Sequence, residues 1–210
     1  VKIAAWALGG VLLLCVLLVT ALFIAGNTDS GRVMIEKLTY RLTAKQVKLS
    51  GLAGSFPRAL TLDRLELSDE QGVWLTALNV TLDWSPLALL ERRFQIDRLH
   101  IENIDMQRLP ASSSKSASKG APSIPRIDVT DASIDVLELG PQLAGAPASL
   151  TLRGSARLRS VEEMAFDATA HRIQGAGDYQ LTLRFDAKRM DAALKLNEPA
   201  SGPLENLLGL

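Results

Sequence analysis

Two histidines, three recurring aspartates and one cysteine carry most of the chemical potential of this chain. His100 and His171 each alternate with apolar neighbours, a strand-like setting that sends the ring outward. Neither has a second histidine or a carboxylate at the local spacing of a metal site or a general base. Both read as outward polar positions. Asp63, Asp97 and Asp128 recur at matched places, as a row of carboxylates for acid–base work would. Each falls instead at or near an outward position or a break in the apolar pattern, beside Arg64, Arg98 or Arg126, so surface pairing or turn chemistry accounts for it. Cys15 lies in an apolar run, and a lone thiol makes neither an internal disulfide nor a thiolate cluster. Ser112 to Ser118 is low-complexity sequence rather than a nucleophile elbow, and no glycine-rich phosphate loop is present. No catalytic, metal or cofactor-binding set is expected; the chain reads as a non-enzyme.

The totals narrow the choice further. The chain has 210 residues, and 23 Lys and Arg balance 23 Asp and Glu. Nucleic-acid binding needs clustered cations to displace counterions, and zero net charge makes no case for it. Aromatics at 5% limit any stacking platform for bases or sugars. Trp74 and Trp84 read as core, and Trp6 suits a membrane interface.

What must position everything else is an anchor. Ile3 to Ala25 carries no charge, and Thr20 is its only hydroxyl. At about 1.5 Å per residue this run reaches about 34 Å, enough for a hydrocarbon core of about 30 Å. Ile3, Leu12, Leu13, Leu14, Leu17, Leu18, Phe23 and Ala25 are its expected anchor residues. A secretory signal has a shorter apolar core and a small residue at −3. Cleavage after Ala25 would put Phe23 there, so an uncleaved anchor is expected. Lys2 precedes the run while Arg32, Lys37 and Arg41 come after it, so visible charge alone points against export of the C-terminal side. The chain starts at Val1 and stops just after a new apolar segment begins, and it is read as the N-terminal piece of something longer.

Asn27-Thr28-Asp29-Ser30-Gly31 is a breaker cluster in which Asp29 or Ser30 could cap a helix. Met34, Leu38 and Leu42 then keep helical spacing. Such a collar helix either lies at lipid headgroups with its basic residues toward anionic lipid, or packs on the domain it precedes.

From Ala44 the period becomes that of strands. Leu62-Asp63-Arg64-Leu65-Glu66-Leu67 returns as Ile96-Asp97-Arg98-Leu99-His100-Ile101, thirty-four positions on. In both, apolar residues are spaced by three and then by two. A spacing of three reverses the face of a strand unless a bulge restores it. Bulged or curving strands fit this, and a five-residue β-solenoid is the alternative. Asp69 to Gly72 reads as a turn, and Ser85-Pro86 as a helix opening with proline at the first position. Strands are expected over Ile124–Leu139, Ala148–Leu158, Glu163–Ile173, Tyr179–Lys188 and Met190–Asn197, and a helical turn over Leu204–Leu208.

Several motifs in order carry a resemblance. They are Gly51-x-x-Gly54-Ser55-Phe56-Pro57, then Leu65-x-Leu67-x-Asp69-x-x-Gly72-x-Trp74-Leu75, then Leu82-x-Trp84-x-Pro86-x-x-Leu89-Leu90. Ile96-x-x-Leu99-x-Ile101-x-x-Ile104 comes next, and Arg108 with Pro110 closes the series. With the anchor before it, this order resembles the N-terminal part of the TamB family, in the wider AsmA-like group of bacterial envelope proteins. The match covers Ile3 to Pro110; from Ala111 onward only the strand texture is similar. Members are much longer than this chain, so the resemblance implies a fragment.

The resemblance implies an inner-membrane anchor with the bulk of the chain in the periplasm, and a long β-taco or groove with an apolar interior. It implies three kinds of partner: membrane lipids, client outer-membrane proteins such as autotransporters, and an outer-membrane TamA-like protein reached through a C-terminal region this chain lacks. It also implies phospholipid movement between the two membranes. The expected fold is mainly β, with a transmembrane helix at residues 1–26 and an amphipathic collar helix at 27–43. Beyond these lies an extended, curved antiparallel sheet with short helical pieces, in two groove blocks, 44–110 and 124–210, with a flexible loop at 111–123 between them. Candidate groove-lining residues are Leu60, Leu62, Val80, Leu82, Ile96, Ile101, Ile134, Leu181, Leu183 and Phe185. The competing expectation is a chaperone-like protein that takes client strands onto a sheet edge.

Overall fold

The computed structural model describes residues 26–111, 126–160, 163–186 and 189–198. The expected anchor with its eight named residues, most of the serine-rich loop, Lys188 and the turn at Leu204–Leu208 lie outside the described residues. Among the described residues no helix is long and apolar enough to cross a membrane.

The first element is helix α1 (Asp29–Leu42). Its cap is Thr28, not Asp29 or Ser30: Thr28 is extended, and its Oγ1 accepts from the Gly31 N–H at 3.3 Å. Next come β1 (Val47–Ser50), β2 (Ala53–Ser55), β3 (Ala59–Asp69), β4 (Gly72–Ser85), a 3-10 corner (Pro86–Glu91) and β5 (Arg93–Met106). After them stand β6 (Arg126–Leu139), the one-turn helix α2 (Pro141–Ala144), β7 (Ala148–Ser160), β8 (Glu163–Arg172), β9 (Asp178–Asp186) and β10 (Arg189–Asn197). The fold is mainly β, with few helices and one large, curved, mixed sheet. Strand order is β1-β3-β4-β5-β6-β7-β8-β9-β10, with β2 beside β1 on the same flank of β3.

The sheet is mixed, and an all-antiparallel expectation is thereby corrected. β5 and β6 run parallel, with Arg93 opposite Arg126 and Met106 opposite Leu139. A strand of this length spans about 45 Å, and the nineteen residues from Gln107 to Pro125 reach about 60 Å extended. The connection is therefore long enough to bring the chain back to the start of β5. The strand blocks on either side of the loop share one continuous sheet.

The three-then-two spacing is resolved as bulged strands in an open sheet, not as a solenoid. Leu62, Val80, Ile101 and Ile134 lie side by side, and so do Leu65, Ala77, Ile104 and Leu137. Between these two rows each of the four strands holds two residues instead of one. The extra residue is polar each time: Asp63, Asn79, Glu102 and Asp135 stand at the same level. Asn79 takes the left-handed conformation (φ 52°), which asparagine tolerates better than most side chains. Its amide donates to Glu102 at 2.5 Å. β7 has no extra residue, and a register shift between β6 and β7 absorbs the difference. A step of the same size, confined to β5 and β6, links Ile96 to Leu99 and Val129 to Ala132. The repeated Asp-Arg-Leu signature thus marks two separate steps in the sheet.

Corners and edges are held by polar contacts. Ser85 does not cap the 3-10 corner; its hydroxyl donates to Asp97 Oδ2 at 2.7 Å. At the β3–β4 turn, Gly72 takes φ +105°, a conformation open to glycine. Both Arg108 guanidinium nitrogens donate to Asp69, each at 2.6 Å, and one also reaches Gly72 O. The N–H groups of Ala111 and Gln71 donate to the same carboxylate. This clamp ties the end of β5 to the hairpin two strands long before it. On the first edge, α1 supplies partners to the backbone of the β1–β2 segment. Glu36 accepts from the Leu52 N–H at 2.8 Å, and Arg32 donates to Gly54 O at 3.0 Å. Asn27 bonds both the N–H and the C=O of Phe56.

Arg108, first of all, and then the backbone donors hold the Asp69 carboxyl well below the usual carboxylate range. A depressed carboxylate stabilises the fold fully above its unfolded pKa of about 3.9 and loses that contribution as pH falls toward its folded value. Asp69→Asn is expected to lower the thermal midpoint by about 2–4 °C, the shift of an ordinary single-site loss in a domain of this size. The difference from wild type should be constant between about pH 5 and 8 and shrink only in stronger acid, as followed by circular dichroism.

Candidate functional site

Strand β7 is the ruler for the sheet, because its apolar residues keep a strict two-residue period. Ala148, Leu150, Leu152, Gly154, Ala156 and Leu158 all point to one face, and each belongs to a row that crosses neighbouring strands. Through Leu152 the row reads Leu62, Val80, Ile101, Ile134, Leu152, Ala170, Tyr179, Leu196. Through Gly154 it reads Leu60, Leu82, Leu99, Ala132, Gly154, Ala168, Leu181, Leu194. The row of Ala156 runs from Trp84 and Ile96 to Phe166 and Leu183, and that of Leu158 from Phe94 to Phe185 and Met190. The ten candidate lining residues therefore all lie on this one face, in four adjacent rows.

The opposite face is polar at the same levels. One row there reads Thr61, Thr81, His100, Ser133, Arg153, Thr169, Gln180, Lys195. Ion pairs cover other parts of it: across strands, Lys48 with Glu66, Arg93 and Arg157 with Asp128, and Arg184 with Asp167, and within β3, Arg64 with Glu66. A cleft of about 460 Å³ on this side is lined by Asp128, Arg157, Asp167 and Arg184, whose charges are already paired with one another.

The apolar face is not uniformly closed. At one end, α2 lays Leu143 and Ala144 against Leu139, Ala148, Leu150 and Tyr179. Beside this patch lies a second buried group, Ala77, Ile101 and Ile104, backed by Leu65, Val80, Leu99 and Ile134. Leu137 packs against both. Toward the other end the side chains stay half-exposed: Leu60, Leu82, Ile96, Leu181, Leu183 and Phe185. Trp84 stacks on Phe94 there, with ring centroids 5.0 Å apart. The other tryptophan expected in the core, Trp74, neighbours Leu75 in β4 and so points to the polar face, half-buried. Helix α2 escaped the sequence reading. Gly140-Pro141 was its one signal, a proline at the first helical position as at Pro86.

His100, His171, Asp97 and Asp128 are engaged in ordinary contacts. His100 Nδ1 lies 3.0 Å from Ser133 Oγ, and His171 Nδ1 lies 2.7 Å from Asp178. Both rings are on the polar face, as expected of outward residues, each beside a carboxylate on another strand. Asp97 accepts from Ser85 and Gln95, which hold its carboxyl below the ordinary value. Asp128 pairs across strands with Arg93 and Arg157 rather than with neighbouring Arg126. Burial first, and then the Glu198 carboxylate that its hydroxyl meets at 2.6 Å, pushes the Tyr179 phenol up to about 12. Among the described residues no three His, Cys, Asp or Glu side chains converge on a point that could hold a metal. No family model, curated protein or solved structure matches this chain.

What the arrangement offers chemically is a sheet with one wetted face and one oily face. The two ends of the oily face should respond differently to truncation. Ile101 is 8% exposed, so Ile101→Ala should cost about 2–4 kcal/mol in urea unfolding of the detergent-solubilised chain. Leu183→Ala, at a half-exposed site, should cost about 1 kcal/mol or less. Equal losses would make the Leu183 end part of the fold's core rather than open surface.

Proposed function

We propose that this chain is a non-enzymatic scaffold, resembling the N-terminal part of TamB, anchored in the bacterial inner membrane with its sheet in the periplasm. Its apolar face is the inner wall of a groove that shields phospholipid acyl chains on their way between inner and outer membrane. The observation that supports this reading is the set of adjacent apolar rows that crosses the sheet, with the rows through Gly154, Ala156 and Leu158 half-exposed or exposed. Each CH₂ left in water costs about 0.8 kcal/mol, so a whole acyl chain costs on the order of 10 kcal/mol to expose. A row from β3 to β10 covers roughly 34 Å at about 4.8 Å per strand. That is about twice the half-thickness of a hydrocarbon core of about 30 Å. A continuous apolar trough of that length lowers the cost with no catalytic group and no cofactor. Under this reading the partners are membrane lipids and client outer-membrane proteins, with a TamA-like protein engaged through sequence beyond this chain and no nucleic acid.

A second reading has its own observation. Among the described residues β10 is hydrogen-bonded to β9 only, and all its residues are exposed, whereas α1 covers the opposite edge of the sheet. A client strand could add to β10, making the protein an assembly chaperone that works by β-augmentation.

Photocrosslinkers at Leu82 and Leu183 separate the two. The groove reading expects lipid adducts at both positions and none at Thr169 on the polar face. Capture of protein alone at Leu82 and Leu183 would sink it. A proline replacing Ala193 in β10 that abolishes client contact and spares lipid capture would favour the assembly reading.

A further inference from the structure

α1 turns its side chains the wrong way for a helix that only packs on a domain. Its sheet side consists of Gly31, Arg32, Ile35, Glu36 and Thr39, all buried or half-buried and mostly occupied with the edge contacts described above. Its outward side holds Met34 at 64% exposure, Leu38 at 46% and Leu42 at 77%. These three are spaced by four residues, which keeps them on one strip of the helix. Val33 and Tyr40 are exposed as well. Lys37 and Arg41 stand beside the strip and form no ion pair among the described residues. The acidic groups of the helix are diverted: Asp29 lies 3.6 Å from Arg32, and Glu36 points at Leu52.

We propose that the outward face of α1 lies on the bilayer surface, with anionic phospholipid headgroups as its partner. The inference rests on the anchor reading of Ile3–Ala25. Only Gly26-Asn27-Thr28 separates that uncharged run from α1, so the helix begins within about 14 Å of its end. Those residues are tied down, with Arg32 Nε donating to Gly26 O at 3.1 Å and Asn27 bonded to Phe56. An apolar strip bordered by cations matches what a helix needs to lie at headgroup depth, its basic groups reaching phosphate. Geometry adds a consequence. α1 runs antiparallel to the β1–β2 edge, Arg32 meeting Gly54 and Glu36 meeting Leu52. A bilayer against α1 meets the sheet edge-on, so strands lie along the membrane and the apolar rows lead away from it, starting beside the lipid.

The test uses the full chain with Cys15→Ser, reconstituted in phosphatidylethanolamine bilayers with or without phosphatidylglycerol. A fluorophore is placed at Met34→Cys, Leu38→Cys or Leu42→Cys, with Leu12→Cys marking the anchor and Lys195→Cys as a distant control. Headgroup-level spin-labelled lipid should quench the α1 labels about threefold more than the control, an effect expected only of a surface-bound helix. Lys37→Glu with Arg41→Glu should remove about half of that difference in the anionic bilayer. Leu12 quenched by deep spin labels with α1 labels no better quenched than Lys195 overturns the inference and leaves the anchor intact. No quenching at Leu12 overturns the anchor and the inference together. Quenching at α1 that ignores the charge reversal overturns the anionic-headgroup assignment.

Discussion

Successive side chains of a strand point to opposite faces, so a wide sheet keeps one apolar face only while every strand stays in phase with its neighbours. That constraint governs this chain. β3, β4, β5 and β6 each carry an extra polar residue at one level, which in a strand standing alone would need a local bulge against each neighbour to keep its leucines and isoleucines on one face. Because Asp63, Asn79, Glu102 and Asp135 stand abreast, the irregularity becomes collective and the ladder stays paired across it. β7 returns to strict alternation, and one local shift of register settles the difference.

The other stabilising features serve this two-faced sheet. Among the described residues only one end of the apolar face is packed in the ordinary sense, under α2 and around Ile101 and Ile104. Elsewhere order comes from ladder hydrogen bonds and from cross-strand pairs on the wetted face. These are surface ion pairs, individually weak, but spread over the sheet they give the outward side its own set of neighbours. The Asp69–Arg108 clamp acts at a different place, fixing the hairpin tip relative to the end of β5, where the chain leaves the sheet for its long connection.

The strand pattern was legible because alternation survives in Tyr179, Leu181, Leu183 and Phe185, and because every two-three step carries polar residues at its break. The ten candidate residues could be assigned to one face for the same reason. The direction of β6 was not legible: pairing direction depends on where a long connection returns, and Ala111–Ser123 has no side chain that encodes a destination. β2 was hidden in Gly51–Pro57, since three residues between breakers give no period. The Asp69–Arg108 contact was visible only as two motif positions, because a pairing thirty-nine residues apart leaves no local trace. The arginine near each aspartate in sequence misled: Asp97 is held by Ser85 and Gln95, and Asp128 by Arg93 and Arg157 on the two neighbouring strands.

The two borders of the sheet differ, and a direction of growth results from the difference. On one side, Glu36 and Arg32 terminate the backbone of the β1–β2 segment much as a chain-stopper blocks a polymer end. On the other, β10 pairs with β9 alone among the described residues. A strand added to such a sheet would join at β10 and not beside α1. Each added strand lengthens every apolar row by one side chain at about 4.8 Å, so reach becomes a matter of strand count, with the starting point held constant.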